Sequence, residues 1–163
     1  TSALCKRIAA MEGVERESLE DAFTGALLHD IGKLVLADNL PETYREIAEF
    51  SRVRGISVHE AEKAVLNATH AEVGAYLLGL WGLSDPVIEA IAFHHHPSDH
   101  PVSRFEPLVA VHVADALDNA HASQGKTSTC PAGMDVDFLA RLGVDGRLPD
   151  WMSLAQQAWE EST

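Results

Sequence analysis

Apolar residues recur along the chain at three- and four-residue spacing and nowhere sustain a strict alternation with polar ones, so the pattern predicts helices throughout and no strand. Leu4 to Met11 reads as helical from the outset. Ser18-Leu-Glu-Asp21 has the form of an N-terminal cap, and the stripe Ala22, Phe23, Ala26, Leu27, Ile31, Leu34 and Val35 predicts a single second helix beyond it. Pro41 stands where a first-turn proline belongs, with Tyr44, Ile47, Ala48 and Val53 as the stripe and Gly55 as the stop, which predicts a short third helix. Ser57…Glu60 and Thr69…Glu72 both fit the capping box, in which hydroxyl and carboxylate each satisfy an open backbone donor at a helix start. Asp85-Pro86 opens a helix carrying Val87, Ile88, Ile91 and Ala92 into three consecutive histidines, and Pro107 opens a long apolar helix through Asn119. Ser123 to Gly133, rich in Ser, Thr, Gly and Pro, reads as an exposed linker, followed by terminal helices over Val136–Leu142 and Trp151–Trp159. No period repeats along the chain, which excludes solenoids.

Composition narrows this picture. A chain of 163 residues with 46% hydrophobic and 23% charged residues is one globular domain's worth of sequence, with a sizeable core. No apolar run reaches the ~18 residues of a membrane span, and the expectation is a soluble, cytoplasmic protein with no membrane partner. Twelve Lys and Arg against 25 Asp and Glu leave a formal charge of −13, which repels phosphate backbones and argues against nucleic acid. Two cysteines far apart in sequence, Cys5 and Cys130, suit a reducing compartment. Nine histidines in an acidic, cysteine-poor chain suggest mixed nitrogen and oxygen coordination of a transition metal. The chain opens on Thr1 and runs at once into a helical segment, so it is expected to be a piece of something longer.

The leading chemical candidate is His29-Asp30 in LLHDIGK, two neighbours about 100° apart on a helix that can flank one ion. An isolated pair of this kind is more often structural than functional. Its company matters more. His70 begins the apolar stretch THAEVGAYLLGLWG, His94 ends EAIAFHHH, and Asp115 stands in the middle of VAVHVADALDNA. A carboxylate in so apolar a helix costs several kcal/mol unless a cation or good hydrogen bonds compensate it. Three histidines and two aspartates from separate helices could share such a cation.

In this order the residues resemble the HD superfamily of metal-dependent phosphohydrolases, and within it the second half of the HDOD domains. The strings carrying the resemblance are GALLHDIGKL, HAEVGAYLLGLWGLSDP, AIAFHHHP and VHVADAL, across about Thr1 to Ala120. The resemblance implies a compact all-α, HD-like helical bundle over residues 1–122, with 123–163 as linker and terminal helices packing on the same domain. It implies one or two ions such as Fe, Mn, Zn or Ni, with His29, Asp30, His70, His94 and Asp115 in ligand positions and Asp30 as the bridge between two ions. Asp30 and Lys33 are the implied catalytic residues, Lys33 one turn along and placed to meet a phosphate oxygen. His95 could ligate or support a ligand. The implied setting is bacterial signalling, with receiver or GGDEF-type domains as partners. Two departures stand out. The family's first histidine belongs to a helix expected ahead of Thr1, and the Gly-Tyr-Pro string that follows the His pair in cyclic-di-GMP phosphodiesterases is replaced by His96-Pro97-Ser98-Asp99.

Other residues have plainer readings. His96 and His100 top a helix in a proline-rich loop, and His59 and His121 lie in polar surroundings as surface residues. Trp81, Trp151 and Trp159 read as core or helix-packing residues. The acidic run Glu12 to Glu20, with Glu60 and Glu62, reads as solvated helix faces. Two functions then compete. One is a regulatory signal-transduction module with an HD-like metal site, favoured by the subfamily resemblance. The other is a metal-dependent phosphohydrolase acting on a nucleotide or phosphoester, favoured by the ligand set.

Overall fold

The computed structural model describes residues 1–122 and 131–161, and every regular element among them is a helix. In chain order these are α1 (Ser2–Met11), α2 (Arg16–Leu28), α3 (Ile31–Asn39), α4 (Pro41–Arg54), α5 (Val58–Leu66), α6 (His70–Leu80), α7 (Asp85–Phe93), α8 (Pro107–Ala122), α9 (Val136–Arg141) and α10 (Leu148–Glu161). Single 3-10 turns occur at Pro97–Asp99 and Asp145–Arg147. The protein is an all-α bundle, as the spacing of its apolar residues predicts.

The axis of the bundle is α8, in which every residue from Pro107 to Leu117 is buried. A helix reaches that state only when neighbours cover all its faces. Here α1, α2, α7 and α10 surround it. Buried alanines at positions 22, 26, 90, 110 and 114 let those backbones approach closely. On one flank α3 packs on α6 and α6 on α7, while α4 and α5 pair with each other outside them.

Local sequence signals set several helix ends. Both capping boxes form: Ser57 Oγ accepts the Glu60 N–H while Glu60 accepts the Ser57 N–H, and Thr69 and Glu72 exchange the same pair of bonds. Pro41 opens α4, and Gly55 closes it in the left-handed region at φ 65°, where a side chain would be strained.

Other expectations are corrected. The second helix is two helices. It begins at Arg16 with Ser18 already inside it, ends at Leu28, and resumes as α3 after Asp30, whose φ of −100° and ψ of 7° leave the helical region. Leu27 and Leu34, placed inward by a continuous stripe, are 61% and 68% exposed. The turn swings α3 onto α6, where Gly32 lies directly on the α6 backbone. A Cβ at position 32 would overlap the His70 carbonyl oxygen and stand 2.7 Å from its carbonyl carbon and 3.0 Å from the Gly74 nitrogen. The third predicted helix is 14 residues long rather than short. Its Val53 faces outward. Trp81 is also exposed, at 68%. Glu12 is no solvated charge: it accepts the Trp151 indole N–H at 2.9 Å and the Arg147 Nε–H at 3.0 Å. Those bonds tie α10 to the end of α1, with Trp151 fully buried in the core. Most of the predicted linker, 123–130, lies outside the described residues, but Pro131 at its far end is buried.

Candidate metal centre

The break after α2 has a chemical consequence, because it places His29 and Asp30 where three other elements end or cross. His70 is the first residue of α6, His94 follows the last turn of α7, and Asp115 lies on the central α8. All five sequence-predicted residues come together. His29 Nε2 stands 3.2 Å from Asp115 Oδ1 and 3.6 Å from Asp30 Oδ2, and His70 Nε2 stands 3.3 Å from Asp30 Oδ1. The His94 ring centroid lies 5.1 Å from that of His29 and 5.6 Å from that of His70.

The hydrogen bonds of the histidines assign their protons. His29 Nδ1–H donates to the Ala26 carbonyl at 2.8 Å, His94 Nδ1–H to the Ile91 carbonyl at 2.8 Å, and His70 Nδ1–H to Glu62 Oε2 at 2.6 Å. Each neutral ring therefore carries its lone pair on Nε2, and all three Nε2 atoms face the same cluster. For His29 and His70 that lone pair looks at carboxylate oxygens, a repulsive pairing unless a proton or a cation lies between them. Among the described residues His94 Nε2 is buried with no hydrogen-bond partner, and Asp30 Oδ1 is buried without a well-formed one. Uncompensated groups of this kind are costly in a core. A ring whose Nδ1–H is tied down and whose Nε2 is left open is the arrangement that transition-metal sites use.

Titration behaviour follows the same geometry. Burial opposes charge on His29 and His70, but the Asp115 and Asp30 carboxylates beside the first, and Asp30 and Glu62 beside the second, outweigh it and hold both pKa values above the ordinary imidazole value. Burial, reinforced by the His29 charge, pulls His94 down to about 3, and burial likewise lowers His95. Asp30 loses solvent, yet its contacts with His70, His29 and Lys33 keep its carboxyl well below the usual range.

The donor set fits a divalent transition ion. One ligand atom from each of His29, Asp30 and His94 lies within 4.8 Å of the others, and the same holds for His70, His94 and His95. Two ligands with ~2.0–2.2 Å bonds stand at most about 4.4 Å apart across one ion, so small side-chain adjustments close either group. His94 belongs to both. Asp115 reaches the cluster through His29 and is held by the Asn119 amide, which donates to its Oδ1 at 2.9 Å. Lys33 Nζ donates to Asp30 Oδ2 at 2.7 Å and is partly exposed, a cation at the edge of the cluster.

Several residues read as bystanders are not. Glu62 is 0% exposed and bonded to His70 rather than solvated. His59 is half-buried, its ring stacked on His95 with centroids 4.0 Å apart, and His96 meets it edge-on. His95 Nε2 lies 3.1 Å from His70 Nε2. His112 is buried one turn before Asp115, its Nδ1–H donating to the His94 carbonyl at 2.7 Å. His100 packs on Phe93 instead, and His121 stacks on Trp159 away from the cluster.

Comparison with known proteins bears on the fold and the family. A crystal structure described as a "Putative phosphohydrolase" from Shewanella amazonensis SB2B shares the fold with a TM-score of 0.65 at 22% identity, covering 96% of this chain and 60% of that one. An uncharacterized protein of Treponema pallidum (strain Nichols) is 33% identical over 92 residues, which are 56% of this chain and 18% of that protein. The chain thus corresponds to a minor part of that curated relative's length. The HDOD domain family model matches residues 1–97, the segment that supplies His29, Asp30, Lys33, His70, His94 and His95, and the chain belongs to the HDOD domain family.

Proposed function

We propose that this chain is a bacterial, cytoplasmic signal-transduction module of the HDOD type, whose helical body holds one or two divalent transition ions between His29, Asp30, His70, His94 and Asp115. The observation that carries the metal reading is the set of three histidines with anchored Nδ1–H groups, of which His29 and His70 turn Nε2 toward the carboxylates of buried Asp115 and half-buried Asp30 while His94 leaves its Nε2 buried beside them. Without a cation the neighbouring carboxylates favour the protonated forms of His29 and His70 against the cost of burial. A metal competes with protons for those nitrogens, so uptake weakens as pH falls. Fe, Mn, Zn and Ni all suit imidazole with carboxylate. Receiver or GGDEF-type domains are the partners this reading expects, with 131–161 acting as part of the same domain.

Phosphoester hydrolysis is the second reading, and Lys33 favours it. A partly exposed ammonium 2.7 Å from Asp30 is positioned to bind a phosphate oxygen at the open edge of the cluster. An ion there would polarise the phosphoryl group and supply hydroxide. In that chemistry the chain's own contribution is to orient the ion through the five side chains and to neutralise substrate charge through Lys33.

Metal analysis of protein purified without a polyhistidine tag, followed by a screen of phosphoesters that includes cyclic-di-GMP, separates the readings. The expected result is weak or partial metal occupancy that Asp30→Ala and His94→Ala abolish, with no cyclic-di-GMP turnover. Protein that binds none of the four metals at any pH refutes the metal reading. Turnover lost on Asp30→Ala replaces the module by the enzyme.

A further inference from the structure

The charge of α5 that enters the core points outward from the cluster itself. Glu62 is fully buried, yet both its oxygens are used: Oε2 accepts the His70 ring Nδ1–H at 2.6 Å and the His70 backbone N–H at 2.8 Å, and Oε1 accepts the Tyr44 hydroxyl at 3.0 Å. The backbone bond satisfies one of the open donors of the first turn of α6. The ring bond does something a cap does not need. It fixes the proton on Nδ1 and turns Nε2 toward Asp30 and His95. Tyr44 on α4 in turn fixes the carboxylate, so two elements outside the cluster, α4 and α5, determine where one ring points.

We propose that Glu62 is a positioning residue for His70, holding the ring as the Nδ1–H tautomer with Nε2 open to the cluster and raising its basicity as a ligand, with Tyr44 orienting the carboxylate. This inference rests on the metal reading. An anionic acceptor behind an imidazole strengthens the ligand more than a neutral carbonyl does, and removing such a partner typically lowers metal affinity 10- to 100-fold. His29 and His94 are backed by the Ala26 and Ile91 carbonyls, so His70 is the one of the three with a carboxylate behind it.

Glu62→Gln is the informative variant, because the amide keeps the shape and one carbonyl acceptor while losing the charge. Two measurements test it on the whole chain. Imidazole 15N spectra of metal-free protein, at a pH above the imidazole range, should show His70 in wild type as a pure Nδ1–H ring. Glu62→Ala should turn it into a tautomer mixture. Titration with Zn2+ or Co2+ should show affinity falling 10- to 100-fold in Glu62→Gln and by less in Tyr44→Phe. Should Glu62→Ala fail to fold, the Glu62→Gln affinity and the wild-type tautomer still decide. Affinity within threefold of wild type in Glu62→Gln, or a wild-type His70 protonated on Nε2, overturns the proposal and leaves Glu62 as a helix cap. Wild-type protein that takes up neither ion defeats the metal reading instead, while the tautomer measurement independently decides whether Glu62 fixes the ring.

Discussion

Replacing Gly32 by alanine should loosen the fold and the metal centre together. The added Cβ would overlap the His70 carbonyl oxygen and lie 2.7 Å from its carbonyl carbon and 3.0 Å from the Gly74 nitrogen. All of these atoms are backbone, so no side chain can rotate away. Restoring ordinary contact near 3.4 Å requires α3 and α6 to separate by about an ångström, and overpacking of this kind costs about 1–3 kcal/mol, with unyielding neighbours at the upper end. Alanine regains about 1 kcal/mol over glycine in a helix interior, leaving a net loss of about 2 kcal/mol. For a chain of this size that is a fall in Tm of about 4–8 °C. The same separation moves His70 away from Asp30, now 3.3 Å apart, by more than metal–ligand bonds of ~2.0–2.2 Å tolerate. Melting with and without chelator, alongside metal titration, measures both effects. Gly79→Ala is the control, since a Cβ there meets only Ile88 Cδ1 at 3.6 Å, and it should leave Tm unchanged or raise it. A Gly32→Ala protein that melts within a degree of wild type and loads metal equally well refutes the close approach and the alignment derived from it.

Asp135→Ala should cost about 1 kcal/mol by removing the α9 cap, in which Asp135 Oδ1 accepts the Phe138 N–H at 2.9 Å. Burial opposes ionisation of this carboxyl, but the Ser98 hydroxyl and the Phe138 N–H hold its pKa below the ordinary aspartate value. Its stabilising effect is therefore fully present above the unfolded aspartate range and lost as pH falls through the lower folded value, so wild type and variant should converge in urea titrations at acid pH. Cys5, whose thiol donates to the Ala22 carbonyl and is pushed up to about 12 by burial, should stay unalkylated in native protein and react in urea, as peptide mapping after iodoacetamide would show.

What the sequence made legible was local. The two capping boxes, Pro41 and Gly55 act through residues at most four apart, so their pattern and their bonds coincide. The five cluster residues stood out because each is polar on an apolar helix. Glu62 meets the same criterion, lying with Val58, Ala61 and Leu66 on one face of α5, yet in a segment also containing Glu60 it passes for solvated charge. Its partner is eight residues on and across a turn, beyond any helical pairing rule. The break at His29-Asp30 was hidden for the opposite reason: apolar spacing continues through it from Ala26 to Leu34. What bends the chain there is tertiary, the seating of Gly32 on α6, and a stripe carries no record of it. Glu12 was misread because its partners, Arg147 and Trp151, lie more than 130 residues away.

The histidine with no role in the sequence reading shows how the later helices bear on the centre. His112 is buried on α8, one turn from Asp115, and both its nitrogens are committed: Nδ1–H donates to the His94 carbonyl at 2.7 Å, and Nε2 accepts the Asp135 N–H at 2.9 Å. Burial lowers its pKa, which matches a ring that must stay neutral to donate with one nitrogen and accept with the other. Asp135 in turn accepts from the hydroxyl of Ser98, to which Arg141 of α9 donates at 2.7 Å. The backbone of His94 is therefore held from behind by residues beyond the 1–97 family match. A displacement of α9 would have to break the His112–Asp135 bond or drag the ring with it, and the ring holds the carbonyl of the residue whose Nε2 is left open in the cluster. The path is short and made of directional bonds, joining the docking of α9 to the backbone of His94 through one neutral ring.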